Sequence, residues 1–457
     1  MASPNDNDSM SRLEWRAAIG LSGIYGLRMF GLFIILPVFA LYAAQLPGGD
    51  DQFLVGIALG AYGMTQAILQ LPFGWLSDRI GRKPLIYAGL IFFATGSFVA
   101  AASHTMTGIV IGRVLQGAGA ISSAVIALAA DLTREQHRTK AMALIGATIG
   151  VMFAVSIVMA PILEKWVGVP GIFALTGILA TTALWVVYSV IPTPRVMSHG
   201  ESELKPGQIR PVLTNGELLR LDFGIFVLHA VLTSMFLVLP LALRDNGLAG
   251  DRHWMVYLPV TAVAFLLMVP AVVVGERHNK LKPVFLGSIA LLGVSEVMLH
   301  YALGSLPALV VALGVFFVAF NVLEATLPSI LSRVAPPGSK GTATGVYTSL
   351  QFLGAAVGGG GGGWIVKSYG SGALFLATAA ACGLWLVVAG PMSAPAAVRV
   401  RTYPLPKLRD GERLSRELAN VPGVLEAVVI ATESVAYLKV DRRGFDEQVV
   451  LRLIEGG

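Results

Sequence analysis

Cysteine is nearly missing from this chain: Cys382 is the single one among 457 residues. That excludes a disulfide within the chain and any cysteine metal cluster. Charge is scarce as well. Asp, Glu, Lys and Arg supply 13% of residues, against about 25% in soluble domains. A chain so poor in charge cannot cover a soluble surface, so most of it should face lipid or other membrane helices. No Gly-rich nucleotide loop and no nucleophile–base arrangement occurs, which argues against an enzyme. The N-terminus, MASPNDNDSMSR, lacks the basic region, short apolar core and cleavage site of a signal peptide.

What is abundant is apolar. Hydrophobic residues reach 55% and the mean hydropathy is +0.72. A spanning helix needs roughly 20 mostly apolar residues. Twelve candidate cores satisfy this: 17–44, 53–76, 85–102, 107–130, 141–163, 171–191, 222–243, 255–275, 284–303, 307–331, 344–366 and 373–390. Helices satisfy their own backbone hydrogen bonds, so an all-α membrane bundle is expected. The net charge of +6 sits in short loops rather than in a nucleic-acid-binding face. Arg79, Arg82 and Lys83; Arg134, Arg138 and Lys140; Arg195, Lys205 and Arg210; Arg277, Lys280 and Lys282; and Arg333 and Lys340 all fall on one side. The positive-inside rule makes that side cytoplasmic, with both termini inside. The chain divides into a first six-helix bundle (1–192), a linker (193–217), a second six-helix bundle (218–395) and a soluble tail (396–457).

The most specific pattern is the loop Gly74–Leu85, GWLSDRIGRKPL. Gly74 and Gly81 allow close backbone approach and a sharp turn. Asp78, Arg79, Arg82 and Lys83 place dense charge at the membrane surface. This loop resembles the signature between helices 2 and 3 of the major facilitator superfamily. A second stretch, Arg113-Val-Leu-Gln116-Gly117, resembles the Arg-x-x-Gln-Gly signature of its fourth helix. The stretch 275–283 is a faint echo of the first loop. The resemblance implies two six-helix repeats around a midplane site. No cofactor is expected, and no metal, since no cysteine follows Cys382 to form a Cys-x-x-Cys loop. It also implies that the aspartate matching Asp78 meets the N-terminus of the eleventh helix, near 341–345. The arginine matching Arg82 would pair with an acid ending the fourth helix, for which Asp131 is placed. Together these would latch an outward-facing state.

Within the spans, Arg113 and Gln116 share one helix face. An arginine there must pair or face water, as a pathway residue or a structural ion pair. Glu324 with Asn321 forms a similar pair in the tenth helix. Glu324 is the first candidate for proton coupling, because desolvation favours its neutral form; the alternative is a hydrogen-bonded helix lock. His229 and Arg28 compete for the role. Glu296 ranks lower, since the ninth helix is peripheral in the superfamily. The fifth helix carries Gly146, Gly150 and Ala160-Pro161-Ile162, without the flanking glycines of the drug-antiporter pattern. The run Gly358–Gly363 reads as a bending segment or as tight packing.

The tail reads as βαββα: a strand around Val398–Thr402, a helix over 409–420 capped by Asp410, a hairpin turning at Glu433–Ser434 and a helix over 445–454. That is a ferredoxin-like pattern lacking its last strand, which leaves the first strand at an edge and open to self-association. Spans and tail together resemble bacterial proton-driven members of the superfamily. The resemblance implies an inner-membrane antiporter that exports a small molecule, with protons, that molecule and the lipid bilayer as partners. Uptake by symport, or a membrane sensor whose tail binds a regulatory partner, are the competing readings.

Overall fold

The computed structural model describes residues 10–193, 206–278, 280–335, 339–394, 398–405, 411–430, 435–441 and 444–455. Its helices are α1 (Arg12–Phe33), α2 (Leu36–Ala43), α3 (Gln52–Ile80), α4 (Arg82–Ala102), α5 (Met106–Ala118), α6 (Ser122–Asp131) and α7 (Glu135–Ser189). After these come α8 (Pro206–Thr214), α9 (Gly216–Asp245), α10 (Trp254–Arg277), α11 (Leu281–Ala302), α12 (Leu306–Val334), α13 (Lys340–Tyr369) and α14 (Ser371–Ala389). The tail holds β1 (Val398–Pro404), α15 (Gly411–Ala419), β2 (Val424–Ile430), β3 (Val435–Asp441) and α16 (Glu447–Glu455).

Ten helical segments among the described residues are long and apolar enough to cross a membrane. One of them, Lys140–Ser189, has 50 residues, more than twice what a span needs. Gly168 inside it has φ +66°, so two helices meet there at a kink. The 30-residue α13 is not among the ten, because its glycines contribute no apolar side chains.

Two of the expected spans are interrupted, though each still counts as one span. The first apolar run is two helices: α1 stops at Phe33 and α2 restarts at Leu36. Pro37, in the first turn of α2, has no N–H to continue the ladder. The fourth is also divided, into α5 and α6. At the break, a Cβ on Gly119 would lie 2.5 Å from the Gly89 carbonyl oxygen, so the backbones touch where no side chain fits. The linker contains the short helix α8, with Val212 buried. Arg195 and Lys205 lie outside the described residues.

In this structure α13 is helical through the glycine run, and its small residues pack tightly. Built Cβ atoms on Gly359 and Gly363 would lie 2.5 and 2.4 Å from the carbonyl oxygens of Gly56 and Gln52 in α3. On Gly354 and Gly358 they would lie 2.1 and 2.2 Å from those of Phe226 and Ala230 in α9. Thus α13 is wedged between α3 and α9 at backbone contact, tying the α1–α7 part to the α9–α14 part.

In the tail, β3 lies between β1 and β2 and is antiparallel to both. Val398 pairs with Asp441 and Pro404 with Val435. Leu414, Leu418, Leu438, Val450 and Ile454 form its small core. β1 therefore does sit at an edge of the described sheet. Arg409, Asp410 and the Glu433–Ser434 turn lie outside the described residues. Tyr403 donates to Glu447 Oε1 at 2.8 Å, and burial together with this bond pushes its hydroxyl up to about 12. Tyr403→Phe should cost about 1 kcal/mol, the net worth of one such bond. Hydrogen exchange in β1 and α16 of the full chain, faster in the variant, is the check.

Candidate functional site

Three polar clusters interrupt the apolar interior. The first closes the Asp78 end of the bundle. Gly81 (φ +101°) breaks α3 from α4, a conformation suited to glycine. The turn brings Arg82 back over α3. Its side chain is 2% exposed; it donates to Ser77 Oγ at 2.9 Å, to Asp131 Oδ2 at 3.3 Å and to Asp78. Asp131 ends α6 with its side chain fully buried. Sequence and structure thus meet on the Arg82–Asp131 pair. Asp78 departs from the expectation: its recorded partner is Arg82, one turn away, rather than the backbone at 341–345 of α13. A guanidinium four residues on is a nearer and stronger donor than a helix terminus. Arg79 stacks over Trp75 at 3.9 Å, and Lys83 donates to the Ile191 carbonyl at 2.5 Å. Gly74 accepts from Ser77 Oγ through its carbonyl at 2.7 Å. At the echo stretch, Glu276 pairs with Arg333 and accepts from Ser329.

The second cluster surrounds Tyr62 on α3. Arg28, from α1, donates to Ser122 Oγ at 2.7 Å and to Gln66, which itself donates to Gln70 at 2.9 Å. Arg113, from α5, donates to Gln116 Oε1 at 2.9 Å, and Gln116 donates to Ser97 Oγ at 2.8 Å. The two guanidinium carbons lie 5.8 and 5.0 Å from the Tyr62 ring centre. Both arginines point inward, as a buried charge in a span should.

The third cluster joins α9, α12 and α13. His229 Nε2 lies 3.1 Å from Glu324 Oε1 and 2.9 Å from Gln351 Nε2. That nitrogen serves one neighbour at a time. Protonated, it donates to the carboxylate; bare, it accepts from the amide. Nε2 therefore has a partner in either protonation state. Asn321, one turn before Glu324, is buried with its Nδ2 unpartnered. The Glu324 side chain is 31% exposed, so it reaches an edge of the packed interior. Glu296 is fully buried instead, held by Thr378 Oγ1 at 2.5 Å between α11 and α14.

The sequence reading missed Gln66, Gln70, Tyr62, Ser97, Ser122 and Gln351. Tyr62, Gln66 and Gln70 recur every four residues on an apolar helix, a signal that was available. It missed Asp222 of α9 as well, which is buried with both carboxyl oxygens unpartnered. No group of three or more metal-ligating side chains occurs among the described residues.

The opposite end carries two ion pairs between the α1–α7 and α9–α14 parts. Lys367 Nζ lies 2.8 Å from Asp51, and Lys165 Nζ 2.9 Å from Asp251. The Lys367 ammonium holds the Asp51 carboxyl below its ordinary range. What this pair adds to stability is present above the ordinary aspartate value and fades as pH falls through the lowered one. Both partners are exposed, so Lys367→Met should leave the thermal midpoint almost unmoved at neutral pH.

The family model described as Major Facilitator Superfamily matches residues 21–276 and 221–431. The chain belongs to this superfamily. It is a transporter, not an enzyme. It is 44% identical over 432 residues to the inner membrane transport protein YajR of Escherichia coli, covering 94% of this chain and 95% of that one. An uncharacterized transporter of Buchnera aphidicola is 32% identical, covering 76% and 89%. The multidrug resistance protein MdtH of Aeromonas hydrophila is 26% identical, covering 72% and 82%. The human organic anion transporter MFSD10 has the same fold, with a TM-score of 0.61 at 18% identity over 83% of this chain and all of that one.

Proposed function

We propose that the chain is a proton-coupled antiporter that exports a small molecule by alternating access. The observation that carries this is the His229–Glu324–Gln351 trio. A carboxyl beside a histidine, at membrane depth and partly exposed, can load and release a proton as its surroundings change. Glu324 is the proton carrier, with His229 as its partner. Arg28 helps hold the opposing wall, and Arg113, Gln116 and Asn321 line the substrate path.

Twelve spans follow if Lys140–Ser189 counts as two, divided at Gly168, and α13 counts as one. The basic loops support a reading in which the Asp78 end and both termini face the cytoplasm of a bacterial inner membrane. The tail is a ferredoxin-like module without its fourth strand, matching the order β1-β3-β2. Gly74, Asp78, Arg79, Gly81, Arg82, Lys83 and Asp131 form a latch whose charges exchange partners as the two parts tilt. In the arrangement described here Asp78 rests on Arg82. Tilting that frees it lets it cap α13, whose N-terminus favours an anion.

The test uses inverted vesicles containing the full chain, acidified inside by respiration and challenged with a panel of compounds. Addition of a transported compound should release protons outward and partly collapse the pH gradient. Transport that proceeds at the same rate with and without a pH gradient would overturn the reading.

A further inference from the structure

Charge is divided unequally inside this protein. Two guanidiniums, Arg28 and Arg113, are 2% and 1% exposed in the interior of α1–α7. The described carboxyls of that part are engaged elsewhere or lie at its ends. Glu14 accepts from Arg134, Asp51 from Lys367, and Asp78 and Asp131 from Arg82. Glu164 lies near Asp251 at the Asp51 end. Among the described residues neither Arg28 nor Arg113 has an acidic partner; their recorded acceptors are the neutral Ser122, Gln66 and Gln116. Across the seam, α9–α14 hold the buried or half-buried acids Asp222, Glu296 and Glu324.

Neutral acceptors do not exhaust these arginines. Arg113 keeps Nε and Nη2 without a partner, Arg28 keeps Nε, and the Tyr62 hydroxyl between them is also free. An arginine offers five N–H donors in a fixed fork that matches a carboxylate or phosphate. Both forks lie against one tyrosine ring, so their carbons are within about 11 Å of each other. Two buried positive charges with spare donors, and no acidic partner among the described residues, leave their charge to be balanced by something else.

We propose that the transported molecule is a small organic anion, whose carboxylate or phosphate group docks on Arg113 and Arg28 beside Tyr62. This rests on the transporter reading above and names its substrate class. It also suits export. Moving an anion out while a proton moves in transfers positive charge inward on both counts, so an inside-negative potential drives each half of the exchange. Arg113 is the anchor, since it has two free donor groups; Arg28 supplies the second charge. Glu324 and His229, on the other side of the seam, are left to handle the proton.

The experiment measures binding to the full chain in nanodiscs at fixed pH and constant chloride, by calorimetry. Four ligands of matched shape are compared: benzoate, phenyl phosphate, benzamide and benzamidine. One or both anions should bind at least tenfold more tightly than benzamide, with benzamidine weakest; which anion wins identifies the group. Arg113→Gln and Arg28→Gln should each lower that affinity at least tenfold, and Arg113→Lys should lower it less. Equal binding of benzamide, or anions that bind no better than chloride, overturns the proposal. Should the glutamine variants fail to fold, the four-ligand comparison on the unaltered chain decides alone. Glu324→Gln should keep anion binding. Loss of proton coupling in that variant, or its retention, therefore bears on the proton reading and leaves the anion site to be judged separately.

Discussion

Glu324→Gln should abolish proton-coupled flux while leaving the protein folded. Glutamine keeps the size and the hydrogen-bonding capacity of the side chain, so it can still meet His229 Nε2 across the 3.1 Å contact. What it cannot do is bind and release a proton. On the proposed reading the carrier is then lost, and the imidazole alone remains titratable in the trio. Flux measured against an imposed pH gradient should fall to the level of vesicles without the protein. Thermal unfolding should change little, because the side chain is 31% exposed and its neighbours keep their partners. A variant that still moves substrate in proportion to the gradient would assign proton coupling to another residue, with His229 and Asp222 next to be tested.

The second large effect comes from packing, and its sign should alternate along six consecutive glycines. Gly359→Val places a Cβ 2.5 Å from the Gly56 carbonyl oxygen and 2.8 Å from the Gly60 nitrogen. Those are backbone atoms on a neighbouring helix and cannot rotate away. The cost should be about 3 kcal/mol or more, at the upper end of overpacking penalties. Gly358, Gly362 and Gly363 are similarly enclosed, by Ala230, Ser234 and Gln52 respectively. Gly360 and Gly361 differ. A Cβ there meets nothing closer than 3.9 and 3.8 Å. Gly360→Ala should stabilise the helix by about 0.5–1 kcal/mol through the entropy glycine loses on folding. Unfolding midpoints across the six single variants provide the check. A uniform response in all six would mean that α13 is not wedged between α3 and α9.

The comparison of sequence with structure follows the range of the forces involved. The span of most helices was legible, since apolar length is a local property. The exceptions had local causes that hydropathy does not register. Pro37 divides the first run because of a missing N–H. Gly168 joins two expected spans through a kink rather than a loop, and the Gly89–Gly119 approach divides the fourth. In the site, Arg82 with Asp131 was readable because a signature linked them. His229 and Glu324 were each picked out as rare ionisable residues in apolar helices. That they touch could not be read, for they are far apart in sequence and on different helices. Gln351 was passed over because a single polar residue in a glycine-rich stretch carries no periodic signal. Asp78 was assigned to α13 and lies on Arg82, a choice between two donors that depends on how the helices are tilted.

From the amino-acid order alone came the membrane habit, the superfamily and the set of charged groups inside the spans. These depend on composition, run length and short spacings, all of which act through neighbours along the chain. Tertiary structure decided who meets whom: His229, Glu324 and Gln351 across α9, α12 and α13, two arginines around one tyrosine, and α13 held at backbone distance from helices on either side. Those pairings arise because buried polar groups must find partners in a medium without water, and glycine lets helices come close enough to provide them.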